Sequence, residues 1–175
     1  LLAHLRASPA AARVELAGSA RRLVETVGDL DLVAASDDPA ALAARLVAFP
    51  SVEEVLARGE TKTTVRLASG LQVDLRIVPP EDFATLLHHM TGSKAHHVRL
   101  RGIAREAGTT LSEWGLHRLP ARGAPPRGDD APPDPAAKIR VASEEELYAA
   151  LGLAYVPPEL REDAGEIEAA RAGTL

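Results

Sequence analysis

The sequence predicts an α/β (α+β) fold of two lobes: a mixed, largely antiparallel sheet flanked by helices, then a smaller α+β lobe. Three observations carry that prediction. Short alternating segments recur through the first 78 residues, separated by Gly, Pro and Asp turns and by helical stretches. After about residue 107 the character changes, with brief strand-like pieces on either side of a proline-rich stretch. The chain has 175 residues, enough for one core or two small ones, and with 46% hydrophobic but only 3% aromatic residues that core must be Leu, Val, Ala and Ile.

The elements follow in order. Residues 1–12 read as helical, and RVELAG at 13–18 alternates like a strand running into a Gly-Ser turn. A short helix then carries Arg21 and Arg22. DLDLV at 29–33 alternates again, which puts Asp29 and Asp31 on one face of a strand. Asp38-Pro39 opens a helix to about Ala48, Asp38 as its cap and Pro39 at its first position. Strands are expected near 52–58, 62–68 and 71–78, the last two joined by a turn at Ser69-Gly70. Pro79-Pro80 stops the third, and helices follow at 81–90 and 93–107. LHRL at 116–119 and IRV at 139–141 read as two short strands. Between them, 120–135 holds six prolines and is expected to be a mobile loop. Ser143 caps a helix ended by Gly152, with acidic residues in its first turn. The acidic stretch 157–175 reads as a linker.

Composition excludes several classes. There is no cysteine, so neither disulfides nor thiolate metal sites are available, and a reducing cytoplasm is the expected location. No apolar run reaches the ~18 residues of a membrane span, and no signal-peptide pattern opens the chain. The chain opens on Leu1 and its one methionine is Met90, so it is expected to be a piece of a longer protein. The formal net charge of −5 argues against nucleic acid as a partner, but its distribution does not. Residues 88–122 carry Lys94, Arg99, Arg101, Arg105, Arg118 and Arg122 against Glu106 and Glu113, together with five of the six histidines. A basic segment in an acidic chain suits phosphate as well as it suits a solvated helix face.

Asp29, Asp31 and Asp74 form the chemical centre of the sequence. Asp74 lies in VDLRI at 73–77, another alternating strand of the same sheet. A DxD pair alone is more often a strand cap. Within strands aspartate is depleted, however, and Asp31 and Asp74 are flanked by Leu and Val. If their strands are neighbours, three carboxylates converge and repel one another unless cations neutralise them. Two Mg²⁺ or Mn²⁺ ions ~3.5–4 Å apart would do so and would polarise both oxygens of a phosphoryl displacement. Gly18-Ser19, at a strand-to-helix turn, offers backbone N–H groups and a hydroxyl, and Arg22 can clasp a phosphate bidentately. Arg21 is expected to face solvent or form a salt bridge. The adjacent pairs His88-His89 and His96-His97 make no zinc site by themselves, because neighbours on a helix point apart. Trp114 and Tyr148 are expected to pack within the second lobe.

These motifs, GSARR with GDLDLV five residues on (from Gly18), QVDLRIVP (from Gln72) and TGSK (from Thr91), resemble the palm and thumb of DNA polymerase family X. YAALGL (from Tyr148) and PPELRE (from Pro157) are similar to its bacterial members in particular. The resemblance implies a nucleotidyltransferase palm over 1–90 and a thumb-like lobe over 91–156. It implies gap-filling, template-directed DNA synthesis in repair, by transfer from a dNTP to a primer 3′-hydroxyl with two Mg²⁺ or Mn²⁺ ions. Asp29 and Asp31 would bind both ions. Asp74 would bind the catalytic one and help deprotonate the primer, with Arg76 as a charge partner behind the carboxylates. Gly18, Ser19, Arg22 and Gly28 would lie at the triphosphate, and Thr91, Gly92 and Ser93 at the incoming sugar. His97 would touch the base edge, and Lys94, Arg101 and Arg105 the DNA. The family also implies an N-terminal helix-hairpin-helix domain and a C-terminal polymerase-and-histidinol-phosphatase domain, neither of which lies in these residues.

The match departs at three places. His89-Met90 stands where family members carry aromatics against the sugar, His97 replaces a frequent Asn, and Leu23 replaces a Gly after the arginines. Two other readings follow: a decayed palm that grips DNA for an adjacent nuclease, and a non-templated nucleotidyltransferase.

Overall fold

A computed structural model describes residues 1–120 and 134–175, so most of the expected 120–135 loop lies outside the described residues. The first lobe runs α1 (Leu2–Arg6), β1 (Arg13–Leu16), α2 (Gly18–Arg21), β2 (Asp29–Ala35), α3 (Pro39–Val47), β3 (Val52–Arg58), β4 (Lys62–Leu67) and β5 (Gln72–Val78). Its sheet has the order β1-β2-β5-β4-β3. Only β2 and β5 are parallel; the other three pairs are antiparallel. Asp38 caps α3 as the sequence suggests, accepting a hydrogen bond from the Ala41 amide at 3.0 Å.

The two-residue period of β2 sorts its side chains. Leu32 and Ala34 join Leu5, Leu42, Leu46, Val73 and Leu75 in a core on one face. Val33 and Ala35 join Ala17, Phe83, Leu86 and Leu87 on the other, where α4 (Phe83–Thr91) packs. Asp29, Asp31, Asp74 and Arg76 share the parity of this second face. Burial rises along β2 from an exposed Asp29 and a half-buried Asp31 to a fully buried end at Ala35, so the carboxylates stand at the open end of the sheet.

The second lobe comprises α5 (Lys94–Glu106), β6 (Thr109–Ser112), β7 (Gly115–Arg118), β8 (Lys138–Ile139), α6 (Glu144–Ala150) and α7 (Glu166–Ala172). Strand β6 was not anticipated: four residues directly after a helix carry too short a pattern to register. The expectation of a linker at 157–175 is corrected. Arg161 is fully buried, and Ile167 and Ala170 of α7 enter a core with Leu100, Leu116, Leu147 and Tyr148. The acidic composition misled because α7 buries a single stripe and leaves Glu168 and Arg171 in water. Tyr148 packs in this core as expected, but Trp114 is half exposed at the β6–β7 turn, which corrects its assignment to the interior.

Leu23 follows α2 in the left-handed region, at φ 58°, with its side chain 77% exposed. A side chain with a Cβ is strained there, and this one gains little burial in return. Leu23→Gly is expected to raise the unfolding free energy by about 1 kcal/mol, read as a higher urea midpoint at unchanged m-value.

Candidate active site

The parallel register of β2 and β5 sets Asp31 directly opposite Asp74, with Asp29 two residues before Asp31 on the same face. Asp31 titrates above the usual carboxylate range. Burial is the main cause, the charges of Asp29 and Asp74 add to it, and Lys62 and Arg22 only partly offset it. Asp74 goes the other way. Burial opposes its ionisation, but donors outweigh burial and hold it below the usual range. Thr64 Oγ1 donates to its Oδ1 at 2.6 Å, Gln72 Nε2 donates to Oδ2 at 2.7 Å, and Lys62 Nζ stands 3.2 Å from Oδ1.

These partners revise one expectation. The cation beside Asp74 is Lys62, whereas Arg76 lines a separate groove with Glu113 and Trp114. Thr64 lies opposite Asp74 in the β4–β5 register, and Lys62 shares its side of β4 two residues away. Among the described residues, moreover, no three His, Asp or Glu side chains are arranged to hold a metal ion. The three aspartates share a face, but both oxygens of Asp74 are already engaged by neighbours.

Gly18 is fixed by its contact with Asp31. A Cβ there would lie 2.2 Å from Asp31 Oδ2, at a φ of 58° that already disfavours one. The Ala17 amide donates to the Asp31 carbonyl at 2.8 Å, so the turn into α2 is stitched to the strand that carries the carboxylates. Ser19 follows in α2, half-buried, while Gly28 is exposed at the approach to β2.

Both arginines reach across to the turn after α4. Arg22 donates Nη1 to the Thr91 carbonyl at 2.6 Å and Nε to Glu162 at 2.7 Å. Arg21 donates to the Thr91 hydroxyl at 2.7 Å and makes a two-pronged pair with Glu144, at 3.0 and 2.5 Å. Of the two roles expected for Arg21, the salt bridge is the one present. Glu144 also accepts from Arg161 at 2.6 Å, so one buried carboxylate joins the two lobes. Gly92 has φ 70°, and a Cβ on it would meet Arg22 Nη1 at 3.1 Å; the Gly92–Ser93 peptide is cis.

Ser93 caps α5 by accepting from the His96 amide at 3.3 Å. Beyond it, Gly92, Ser93, Lys94, His97, Val98 and Arg101 line a groove of about 320 Å³ together with His89. Lys94, Arg101 and Arg105 are exposed at helical spacing. His97 is largely buried, with neither ring nitrogen partnered and its ring edge-on to His89 at 4.8 Å. Its pKa is pushed down to about 4, chiefly by burial and then by His89, Arg101 and His96. The charge change ordinary for histidine near neutral pH is therefore absent, and His97 faces the groove as a neutral ring. Of the two residues expected at the sugar, only His89 lines the groove; Met90 packs against the core around Phe83 and Leu86. His96 turns inward instead. Its Nδ1 donates to Glu166 at 2.5 Å, leaving Nε2 to accept from the Tyr148 hydroxyl at 2.7 Å.

Sequence reasoning missed Lys62, Thr64, Gln72, Glu144, Arg161 and Glu162. Lys62 and Thr64 carried a signal, since the Ser69-Gly70 turn sets the β4–β5 register, and Gln72 carried one in standing two residues before Asp74 on its strand. The others lie too far along the chain to carry one.

Residues 86–162 match the family model described as DNA polymerase beta thumb. Over 155 residues, 87% of this chain, the sequence is 40% identical to DNA polymerase/3′-5′ exonuclease PolX of Bacillus subtilis strain 168. Both matches are to DNA polymerase family X, the longer of them to a bacterial member. Human DNA-directed DNA/RNA polymerase mu is 35% identical over 94 residues, 52% of this chain and 16% of its own length. This chain spans 25% of the Bacillus relative's length. A ternary gap complex of Leishmania infantum polymerase beta superposes with a TM-score of 0.70 at 23% identity, covering 86% of this chain and 62% of that one. At that identity the likeness is one of fold.

Proposed function

We propose that this chain is the palm and thumb of a template-directed DNA polymerase, palm over 1–90 and thumb over 91–156, that fills gaps during repair by moving a nucleotidyl group from a dNTP to a primer 3′-hydroxyl. The observation that carries the proposal is the register that sets Asp31 opposite Asp74 with Asp29 on the same face, hard against the Gly18 turn. The donors fit divalent metal in kind: all are carboxylate oxygens, and Asp31 is raised by its own burial and by two neighbouring negative charges. Asp29, Asp31 and Asp74 would hold two Mg²⁺ or Mn²⁺ ions, which when bound supply charge stabilisation to the displacement.

The chain's own residues do the rest. Asp74, ionised at neutral pH, accepts the primer hydroxyl's proton. Ser19 and Arg22 hold the outer phosphates, with Gly18 and Gly28 giving the backbone close approach. The 91–93 turn bounds the sugar, and His97 offers the base edge a neutral ring. Lys94, Arg101 and Arg105 run along the DNA backbone. The chain's 25% share of the Bacillus relative supports reading it as the polymerase portion of a longer polypeptide, with the helix-hairpin-helix and polymerase-and-histidinol-phosphatase domains lying outside these residues.

The test is extension of a primer across a one-nucleotide gap with Mg²⁺ or Mn²⁺ and each dNTP in turn. Extension by the templated nucleotide is expected. Addition that ignores the template would point to the non-templated transferase, and binding of gapped duplex with no extension under either metal would leave a DNA grip only.

Gly18→Ala is expected to slow single-turnover extension by about 10²-fold, because the new methyl pushes Asp31 out of line. Thermal melting of the variant separates that displacement from loss of fold.

A further inference from the structure

The reading above leaves Asp74 with a conflict. A carboxylate meant for a divalent cation is already satisfied on both oxygens, by Thr64 and Lys62 on Oδ1 and by Gln72 on Oδ2. Two of these donors are neutral, Thr64 set opposite Asp74 by the β4–β5 register and Gln72 two residues before it on the same strand; the third is a cation on a flexible stem, its side chain half exposed. Lys62 also lowers the charge burden on Asp31. It thus does electrostatically, at single charge, what a divalent ion would do for the same two carboxylates.

We infer that Lys62 is a resident counter-ion of the aspartate cluster that a metal ion must displace, and so a positioning residue that sets the metal affinity of Asp74. The inference rests on the metal-dependent reading above. Its physical logic is competition. An ammonium 3.2 Å from Oδ1 and an incoming divalent ion cannot share that oxygen without repulsion, and half-exposed Lys62 can swing into water at small cost where buried Thr64 cannot move. The exchange also explains why the three carboxylates share a face without forming a ready metal site.

The experiment is Mn²⁺ binding to this chain, followed by the electron paramagnetic resonance of free Mn²⁺ for the wild type, Lys62→Met, Lys62→Arg and Asp31→Asn. Lys62→Met is expected to bind Mn²⁺ about two- to five-fold more tightly, the scale of one partly exposed ion pair, while Lys62→Arg keeps wild-type affinity. A purely structural lysine would leave affinity unchanged or weaken it on removal, and either result with a metal-binding wild type overturns the inference alone. If wild type and Lys62→Met bind no Mn²⁺ and Asp31→Asn changes nothing, the metal-dependent reading falls and takes the inference with it.

Discussion

Asp74→Asn is expected to abolish gap extension, by about 10³-fold or more, while leaving the fold intact. The asparagine oxygen still accepts from Thr64, so the 2.6 Å hydrogen bond that orients the side chain survives. What is lost is the negative charge, with it the capacity to take a proton, and the bond from Gln72, whose amide must turn its oxygen towards the new Nδ2. Asp74→Ala should be equally inactive but less stable, since it strands the buried Thr64 hydroxyl. The pair of variants separates chemistry from packing: equal loss of activity with unequal melting temperatures is the expected pattern. Residual extension by Asp74→Asn above about a tenth of wild type would remove Asp74 from the chemistry, being far smaller than the loss of a general base.

Glu144→Ala should have the largest effect on stability. Glu144 is 6% exposed and accepts from Arg21 of the first lobe and from fully buried Arg161 of the C-terminal segment. Arg161 also donates to the Val156 carbonyl and lies over the rings of Tyr148 and Tyr155, so it cannot move to water when its partner is removed. Breaking one partner of such a buried network costs about 3–5 kcal/mol, expected here as a lower denaturation midpoint. The pH dependence follows the same logic. Burial works against ionisation of Glu144, but its pairing with Arg21 and Arg161 prevails and depresses the pKa below 4.5. A depressed carboxylate stabilises the fold above its unfolded pKa, and that contribution fades as pH falls through the folded value. The wild type should therefore lose stability on acidification below about pH 4.5, and Glu144→Gln should show a shallower slope there.

How much of this was readable beforehand depends on distance along the chain. Asp29, Asp31 and Asp74 were legible because a strand's period of two residues places side chains on faces without reference to anything else. Asp38 and Ser143 were legible as caps because a cap acts within three residues. The basic α5 face followed from helical spacing in the same way, whereas the adjacency of the strands that carry Asp31 and Asp74 entered only as a condition that the β2–β5 pairing meets.

What the tertiary structure alone decided is which charges meet. Nothing in the stretch around Arg21 announces Glu144, 123 residues away, nor does Arg22 announce Glu162, 140 residues away. The acidic tail looked like solvated chain, yet it folds back to bury Arg161 and Ile167. A histidine ordinarily changes charge near neutrality, yet burial and the neighbouring His89, Arg101 and His96 hold His97 neutral. The physical reason is common to all four. Periodicity and capping are short-range and set by backbone geometry, whereas desolvation and charge pairing depend on what the rest of the chain brings within a few ångströms, and only the packed fold sets that distance.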